Sequence, residues 1–190
     1  TDGKGNLFKT KIEKIEKSLS YLEKKKKIKS ISQKKTNHVS ICLIKSQSRI
    51  DWMVEKLTEI GINQISFISS QNCERNKLNF DRLNKKIISA AKQCNSLFLP
   101  KLNEIISLDK FLDKTENNDN KFFADLESKN KLKTYGDNSN SLLLIGPEGD
   151  FTREEKEKIK GFKFKSITLG DQILRSETAA VVGGYMLSEF

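Results

Sequence analysis

Two short glycine-containing segments in the last fifty residues have the side chains best suited to chemistry. The first, residues 145–150 (IGPEGD), follows an unbroken apolar run and precedes Thr152 and Glu155, which are spaced as a helix capping box. Its two glycines permit close backbone approach, Pro147 stiffens the loop, and Glu148 can accept hydrogen bonds from a ligand or orient a neighbouring loop. An ordinary strand-to-helix turn has the same spacing, so that alternative stays open.

The second segment, residues 169–180 (LGDQILRSETAA), again connects a predicted strand to a predicted helix. Its leucine and isoleucine side chains can form apolar walls, and Arg175 can hold a phosphate or a base edge. The alternative is that Arg175 and Glu177 simply pair with each other or with helix ends. Neither segment continues as Gly-Lys-Ser/Thr or contains G-x-G-x-x-G, which disfavours a phosphate cradle.

Elements that alternate between strand and helix must position these two segments. Residues 7–15 and 19–31 are predicted to be extended, and from residue 39 the hydrophobic period switches repeatedly between strand and helix. Such alternation predicts a mostly parallel sheet flanked by helices, with loops converging at the carboxyl ends of the strands. The predicted strands are 39–44, 64–68, 121–126, 141–145 and 164–169, and the predicted helices are 49–60, 79–97, 107–112, 152–159 and 176–190.

The composition of the chain narrows the classes of partner that it can bind. Lys and Arg number 35 against 25 Asp and Glu, and the net charge of +10 favours a polyanion such as nucleic acid, although a lysine-rich solvated surface has the same charge. No apolar run is long enough for a membrane helix, and the polar start at residues 1–5 (TDGKG) does not resemble a signal peptide. Three scattered cysteines and one histidine argue against a disulfide framework or a metal site and favour a reducing compartment. Because the first residue is not Met, we expect the chain to begin inside a longer protein.

The two segments together resemble a known family. Residues 146–155 (GPEGDFTREE) and 169–180 (LGDQILRSETAA) are similar to the signature of the RsmE-type ribosomal RNA methyltransferases, which act on uridine N3 in small-subunit (16S) rRNA. The ordered set of motifs covers nearly the whole chain. The further matching stretches are 2–5 (DGKG), 51–61 (DWMVEKLTEIG), 73–75 (CER) and 90–100 (AAKQCNSLFLP).

The chain departs from the family pattern at four positions. Asp150 stands where the family usually has Gly, Gln172 and Ser96 stand where it usually has Arg, and Lys92 stands where it has Glu. These changes leave the expected fold intact, and they leave the turnover rate and the contacts of the site open.

The resemblance implies a fold that periodicity does not show. It implies a SPOUT-type α/β domain with a trefoil knot at residues 37–190, although knots are rare exceptions among protein folds. Residues 1–36 would be the remnant of a small PUA-like β-barrel that binds RNA. A homodimer through the C-terminal helix and a cytoplasmic location follow from the same resemblance, with the RNA base entering near the dimer interface. Gly183 and Gly184 in that helix indicate either such a dimer contact or tight packing within the subunit.

The resemblance also implies the cofactor S-adenosyl-L-methionine and no metal. Because uridine N3 carries a proton, a base or a stabiliser of the anion is expected. Arg175 is predicted to contact the substrate, and Glu148 and Glu177 are predicted to hold the loops together. The predicted cofactor-binding residues are Leu144, Ile145, Gly146, Glu148, Gly149, Leu169, Gly170, Ile173 and Leu174.

Three alternatives remain at this stage. The same fold can serve a catalytically silent RNA-binding or ribosome-assembly protein, which the changes at Asp150 and Gln172 would fit. It can also serve a methyltransferase that acts on another RNA. An interaction protein that binds neither cofactor nor RNA is the third possibility.

Overall fold

The computed structural model describes residues 1–17, 19–33, 35–73, 77–115, 120–132 and 140–189. The strands are β1 (Asn6–Glu16), β2 (Leu19–Ser30), β3 (Asn37–Cys42), β4 (Gln64–Ser69), β5 (Lys101–Leu102), β6 (Ile106–Ser107), β7 (Asn120–Ala124), β8 (Ser141–Ile145) and β9 (Lys165–Ile167). The helices are α1 (Gln47–Ile60), α2 (Phe80–Gln93), α3 (Leu108–Lys114), α4 (Arg153–Gly161) and α5 (Ser176–Ser188).

Seven of the described strands form one parallel sheet in the order β5-β4-β3-β8-β7-β9, with β6 pairing along the same edge of β4 as β5. The register is continuous across its centre, where Val39 lies between Ile65 and Leu143. Parallel strands with helical connections confirm the predicted α/β class. The neighbouring strands β3, β8, β7 and β9 therefore end at one edge of the sheet, which is where a ligand site is expected.

Strand alternation divides the core into two layers. Leu143 and Ile145 of β8 pack with α1, α2 and α5 on one face of the sheet. Leu142 and Leu144 of the same strand pack with α3 and α4 on the other face. Because both faces are covered, β8 is apolar at every position after Ser141, as its unbroken Leu-Leu-Leu-Ile run indicates.

The helix ends mostly follow their sequence signals. Gly61 ends α1 in a left-handed conformation (φ 88°), and Thr152 and Glu155 form the predicted capping box at α4. The prediction of a helix from 79 to 97 is wrong at its carboxyl end, because α2 ends at Gln93 and Asn95 adopts a left-handed conformation (φ 56°). The predicted strand at 164–169 is likewise shorter, since only Lys165–Ile167 pair with β7.

A long antiparallel hairpin, β1 with β2, stands beside the parallel sheet. Its base is held by the turn at residues 2–6, where Asp2 Oδ1 accepts hydrogen bonds from the backbone N–H groups of Lys4 (2.9 Å) and Asn6 (3.1 Å). These bonds, together with one from the Asn6 amide group to Oδ2, lower the pKa of Asp2 to about 2. The turn docks on the segment after α2, because Gly5 N–H donates to Leu97 O at 2.9 Å.

The paired glycines of α5 serve packing within the subunit. A Cβ atom at Gly183 would overlap the side chain of Leu143, and one at Gly184 would lie 2.8 Å from Leu57 Cδ2. The helix backbone therefore lies directly on β8 and α1. Of the two interpretations of Gly183 and Gly184, the structure supports tight packing inside the chain.

The composition also led to predictions about the cysteines, membrane helices and metal sites. Cys42 is fully buried, Cys73 and Cys94 are partly buried, and all three are free thiols. Across the described segments, no helix is both long and apolar enough to cross a bilayer, and no group of three or more His, Cys, Asp or Glu side chains is placed to hold a metal ion.

Candidate functional site

The two glycine-containing segments meet at a cavity of about 470 Å³, here called the loop cavity. Its walls come from the ends of four neighbouring strands: residues 145–150 after β8, residues 168–176 after β9, residues 124–126 after β7, and Arg49, which follows β3 on α1. A volume of this size lies within the range of small-molecule sites. The spatial arrangement on which the predicted site depends is therefore present.

Arg49 connects the two segments from a third element. Its Nη1 donates to Glu148 Oε1 at 2.8 Å, and its Nε lies 3.5 Å from Glu177 Oε1. Glu177 sits in the first turn of α5 and is 5% exposed, and its second oxygen, Oε2, has no hydrogen-bond partner among the residues that the structure describes. The positive end of the helix dipole favours a carboxylate in this turn. Arg49 thus connects the two glutamates to each other.

Lys156 forms a second bridge on the other side of the 145–150 loop. Its Nζ contacts Asp150 Oδ2 at 2.8 Å and Asp125 Oδ1 at 2.9 Å. Burial lowers the pKa of Lys156, but the hydrogen bonds and charges of the two aspartates raise it overall. Asp150 adopts φ 60°, a left-handed conformation that suits the Gly usual in the family and that Asp tolerates. Asp150 therefore fits the backbone conformation at this position, and its carboxylate pairs with Lys156.

A supporting loop, residues 70–73, holds the 145–150 segment from outside. Asn72 Nδ2 donates to the carbonyl oxygen of Asp150 at 2.9 Å. The buried Glu155 accepts from the backbone N–H of Gln71 at 2.9 Å through Oε1 and from that of Thr152 at 3.0 Å through Oε2. The capping box of α4 thus also ties this helix to the end of β4. Residues Glu74 and Arg75, which belong to the family-like CER stretch, lie outside the described residues.

Arg175 is the one arginine of the loop cavity whose side chain forms no ion pair with any described residue. Arg175 is exposed and forms the N-cap of α5. Its carbonyl oxygen accepts a hydrogen bond from Ala179 N–H at 2.8 Å. The alternative was that Arg175 and Glu177 pair with each other or with helix ends. Glu177 pairs with Arg49 and not with Arg175, and it does lie at a helix end, in the first turn of α5. The Arg175 guanidinium is therefore available to an anionic ligand at the mouth of the cavity.

The structure brings most of the predicted site residues together. Ile145, Gly146, Glu148, Leu169, Gly170, Ile173, Leu174 and Arg175 all line the loop cavity. Leu144 does not line it, because strand alternation turns its side chain into the core beneath α3 and α4. Gly149 does not line it either and lies beside Asn72, and Glu177 is placed behind Arg49.

Several lining residues were missed by sequence reasoning. Residues 124–126 and Arg49 were assigned only to a strand and to a helix start, yet both face the cavity. The available signal was position, since Arg49 follows the predicted strand 39–44 and residues 124–126 are the last residues of the predicted strand 121–126. Without the strand order, however, nothing in the sequence says that β3 and β7 flank β8. Among the departures, Gln172 lines the cavity, whereas Lys92 and Ser96 do not.

Comparisons with known proteins agree on one family. Residues 13–187 match the family model described as RNA methyltransferase domain. Ribosomal RNA small subunit methyltransferase E of Rickettsia conorii is 31% identical over 187 residues, which cover 95% of this chain and 74% of that protein. The protein of the same name from Mesomycoplasma hyopneumoniae is 33% identical over 162 residues, covering 82% and 70% of the two chains.

Solved structures share the fold. A probable rRNA-methyltransferase from Porphyromonas gingivalis superimposes with a TM-score of 0.87 at 29% identity, covering 100% of this chain and 82% of that one. The ribosomal RNA small subunit methyltransferase E from Neisseria gonorrhoeae, solved bound to S-adenosyl methionine, gives a TM-score of 0.84 at 23% identity, with 99% and 80% covered.

Proposed function

Because the chain belongs to the RNA methyltransferase family, among the ribosomal RNA small subunit methyltransferases E, we propose that it transfers a methyl group from S-adenosyl-L-methionine to N3 of a uridine in 16S rRNA. The observation that carries the proposal is the loop cavity, where both signature segments meet at the carboxyl edge of the sheet. We also propose a cytoplasmic location, which a ribosomal RNA target supports.

The residues of the loop cavity fit an adenosyl group with a charged amino-acid tail. Leu169, Ile173 and Leu174 offer apolar surface to a purine, and the carboxylates of Asp125 and Glu148 can accept from hydroxyl or amino groups. The backbone of residues 145–146, 169–170 and 173–174 would provide the remaining hydrogen bonds. When bound there, the sulfonium cofactor supplies an activated methyl group.

The protein's own contribution to the reaction is alignment and charge stabilisation. Holding the base in line with the methyl carbon removes much of the entropic barrier. Uridine N3 becomes nucleophilic only when its proton leaves, and the ring then carries negative charge. Arg175, which forms no ion pair with the described residues, lies at the mouth of the loop cavity and is the cation that we propose stabilises that charge. Glu148 and Glu177 keep the walls in place through Arg49.

We also propose that residues 1–36 belong to an RNA-binding β-barrel and that residues 37–190 form the methyltransferase domain. A two-stranded hairpin is marginal by itself, yet this one exposes large apolar residues that further strands would bury. Exposed lysines on both strands suit contact with phosphate. The apolar residues are Ile12, Ile15, Leu22 and Ile28, and the lysines are Lys9, Lys11, Lys14, Lys26, Lys27 and Lys29.

A second copy of the chain is the proposed occupant of an apolar groove along the outer face of α5, here called the α5 groove. The groove has a volume of about 860 Å³ and is lined by Val181, Val182, Tyr185 and Met186. It also includes residues 168–170, which line the loop cavity as well. A second copy bound in the α5 groove would therefore contact residues 168–170. This contact supports a homodimer whose interface adjoins the loop cavity.

In the proposed trefoil knot, the segment after β9 passes through the loop that follows β7. Its support lies in contacts between these two segments: Thr168 N–H donates to Asn130 O at 2.8 Å, and Ser128 Oγ donates to Ser166 O at 2.9 Å. The chain then returns from the edge strand β9 to pack α5 across the central strands β3 and β8. Residues 133–139 of the loop lie outside the described residues.

Methyl transfer to ribosomal RNA tests the proposal directly. Small ribosomal subunits from a strain that lacks N3-methyluridine in 16S rRNA are incubated with the protein and S-adenosyl-L-methionine, and the digested rRNA is analysed by mass spectrometry. We expect one N3-methyluridine per subunit. Binding of the subunit without methylation would favour the silent RNA-binding alternative, and methylation of another RNA or base would reassign the substrate.

A further inference from the structure

The two glutamates of the signature segments share one cation that belongs to neither segment. Arg49 lies in the first turn of α1, and the rest of that helix packs against α2 and α5. Its guanidinium is therefore carried by a packed helix that lies outside both signature segments in the sequence. From there it contacts Glu148 at 2.8 Å and Glu177 at 3.5 Å, and it also forms part of the cavity wall.

Arg49 balances the negative charges of Glu148 and Glu177. Glu177 is 5% exposed, and its Oε2 has no partner, so Arg49 is the only cation within ion-pair distance of this buried carboxylate among the described residues. Without Arg49, the carboxylates of Glu148 and Glu177, which both contact its guanidinium, would repel each other, and that of Glu177 would be buried and uncompensated. Both effects would drive the 145–150 loop away from α5.

We infer that Arg49 is a positioning residue of the loop cavity, which joins Glu148 of one signature segment to Glu177 of the other and so sets the width of the methyl-donor site. The inference rests on the proposed function for the identity of the ligand, but the bridge itself is a property of the free protein. The two parts can therefore be tested separately.

The fork shape of the guanidinium predicts how substitutions rank. Arg49 uses two different nitrogen atoms for the two carboxylates, whereas the single ammonium group of a lysine at this position can satisfy only one of them well. Arg49→Lys should therefore retain part of the effect, and Arg49→Gln should lose it. Arg49→Gln combined with Glu177→Gln removes the uncompensated buried charge and should recover much of the loss.

Hydrogen exchange measured by mass spectrometry on the free protein tests the bridge, and calorimetric titration with S-adenosyl-L-methionine tests its consequence. In Arg49→Gln we expect the amides of residues 147–151 and Ala179 to exchange about tenfold faster, because the loop opens more often. We expect binding to weaken by about tenfold, the loss typical of one charge-assisted contact. Arg153→Gln is the matched control, since it removes the same charge from an exposed position outside the cavity.

The outcomes separate the two claims. Wild-type exchange and wild-type binding in Arg49→Gln would overturn the inference, as would a double variant no better than the single one. If Arg49→Gln fails to fold, Arg49→Lys is subjected to the same two measurements, and wild-type behaviour there overturns the inference. A wild-type protein that binds no S-adenosyl-L-methionine would refute the proposed function, while the exchange rates would still decide the role of Arg49.

Discussion

Among the charged residues that line the loop cavity, the acidic ones are held by cations and Arg175 is left available. Glu148 is held by Arg49, and Asp125 and Asp150 are held by Lys156. Side chains that are already paired give a cavity its shape, whereas an unpaired cation can interact with an incoming charge. On this contrast we base the proposal that Arg175 takes part in the reaction and that the other charged residues give the cavity its shape.

Arg175→Ala should therefore abolish most activity while leaving the protein intact. The guanidinium is exposed and forms no ion pair with any described residue, so its removal should not change the melting temperature or the affinity for S-adenosyl-L-methionine. We expect kcat for methylation of small subunits to fall by about a hundredfold or more, as for the loss of one transition-state contact. Unfolding or loss of cofactor affinity in this variant would show that Arg175 is structural.

The residue types of the site were predictable, but their pairing was not. The glycines and Glu148 in the first segment, and Arg175 and Glu177 in the second, are visible as candidates from spacing alone. The contact of Glu177 with Arg49 depends on α1, β8 and α5 lying side by side, and residues 49 and 177 are too far apart in sequence for any local pattern to relate them. The resemblance to a family named the site, and only the fold showed what holds it.

At the scale of elements, the strand order converts separate loops into one cavity. Local hydrophobic period predicted most strands and helices to within a few residues, including β8 as Ser141–Ile145. It did not predict β5 and β6, because two-residue strands have no period. It also gave no order for the strands, and the order β3-β8-β7-β9 is what brings Arg49, residues 124–126 and the two signature segments to one edge.

Strand β3 carries the only histidine, which makes folding stability sensitive to acid. His38 contacts Ser66 Oγ at 2.8 Å, and burial, with a smaller effect of the Lys101 charge, lowers the pKa of His38 from 6.5 to about 4. Between these two pH values the unfolded chain binds a proton that the folded chain does not, so the stability falls as the pH falls from 6.5 toward 4.

Replacing this residue should remove that part of the pH dependence. We expect the free energy of unfolding of the wild type to drop by on the order of 2 to 3 kcal/mol more than that of His38→Gln between pH 7 and pH 4.5. Urea unfolding at the two pH values, followed by circular dichroism, measures both losses. Equal losses in the two proteins would show that His38 does not titrate as its burial implies.

At the scale of the whole molecule, α5 has two different faces. Its glycine face lies against β8 and α1, and its outer face forms the α5 groove with Tyr185 57% exposed. The sequence predicted a close approach at the paired glycines, but it did not say whether the neighbour was the same chain or another. The glycine face packs against the same chain, and the outer face is the proposed dimer interface.

Tyr185→Glu should separate the proposed dimer without unfolding the chain. A buried carboxylate in an apolar interface is costly, whereas the same carboxylate on a free surface is not. We expect sedimentation to give a mass near 21.7 kDa for the variant and about twice that mass for the wild type. Ile88→Glu on α2 is the control, because Ile88 is also exposed, at 44%, and lies outside the groove. A wild type that sediments as a monomer at micromolar concentration would contradict the dimer.

The central claim is that residues 145–150 and 169–175 enclose the methyl donor, and a crystal structure of the protein grown with S-adenosylhomocysteine tests it most directly. We predict electron density for the ligand in the loop cavity, with its adenosyl group against Leu169, Ile173 and Leu174 and with no displacement of the Arg49 bridge. Density at another place on the molecule, or a loop cavity that stays empty at saturating ligand, would contradict the account.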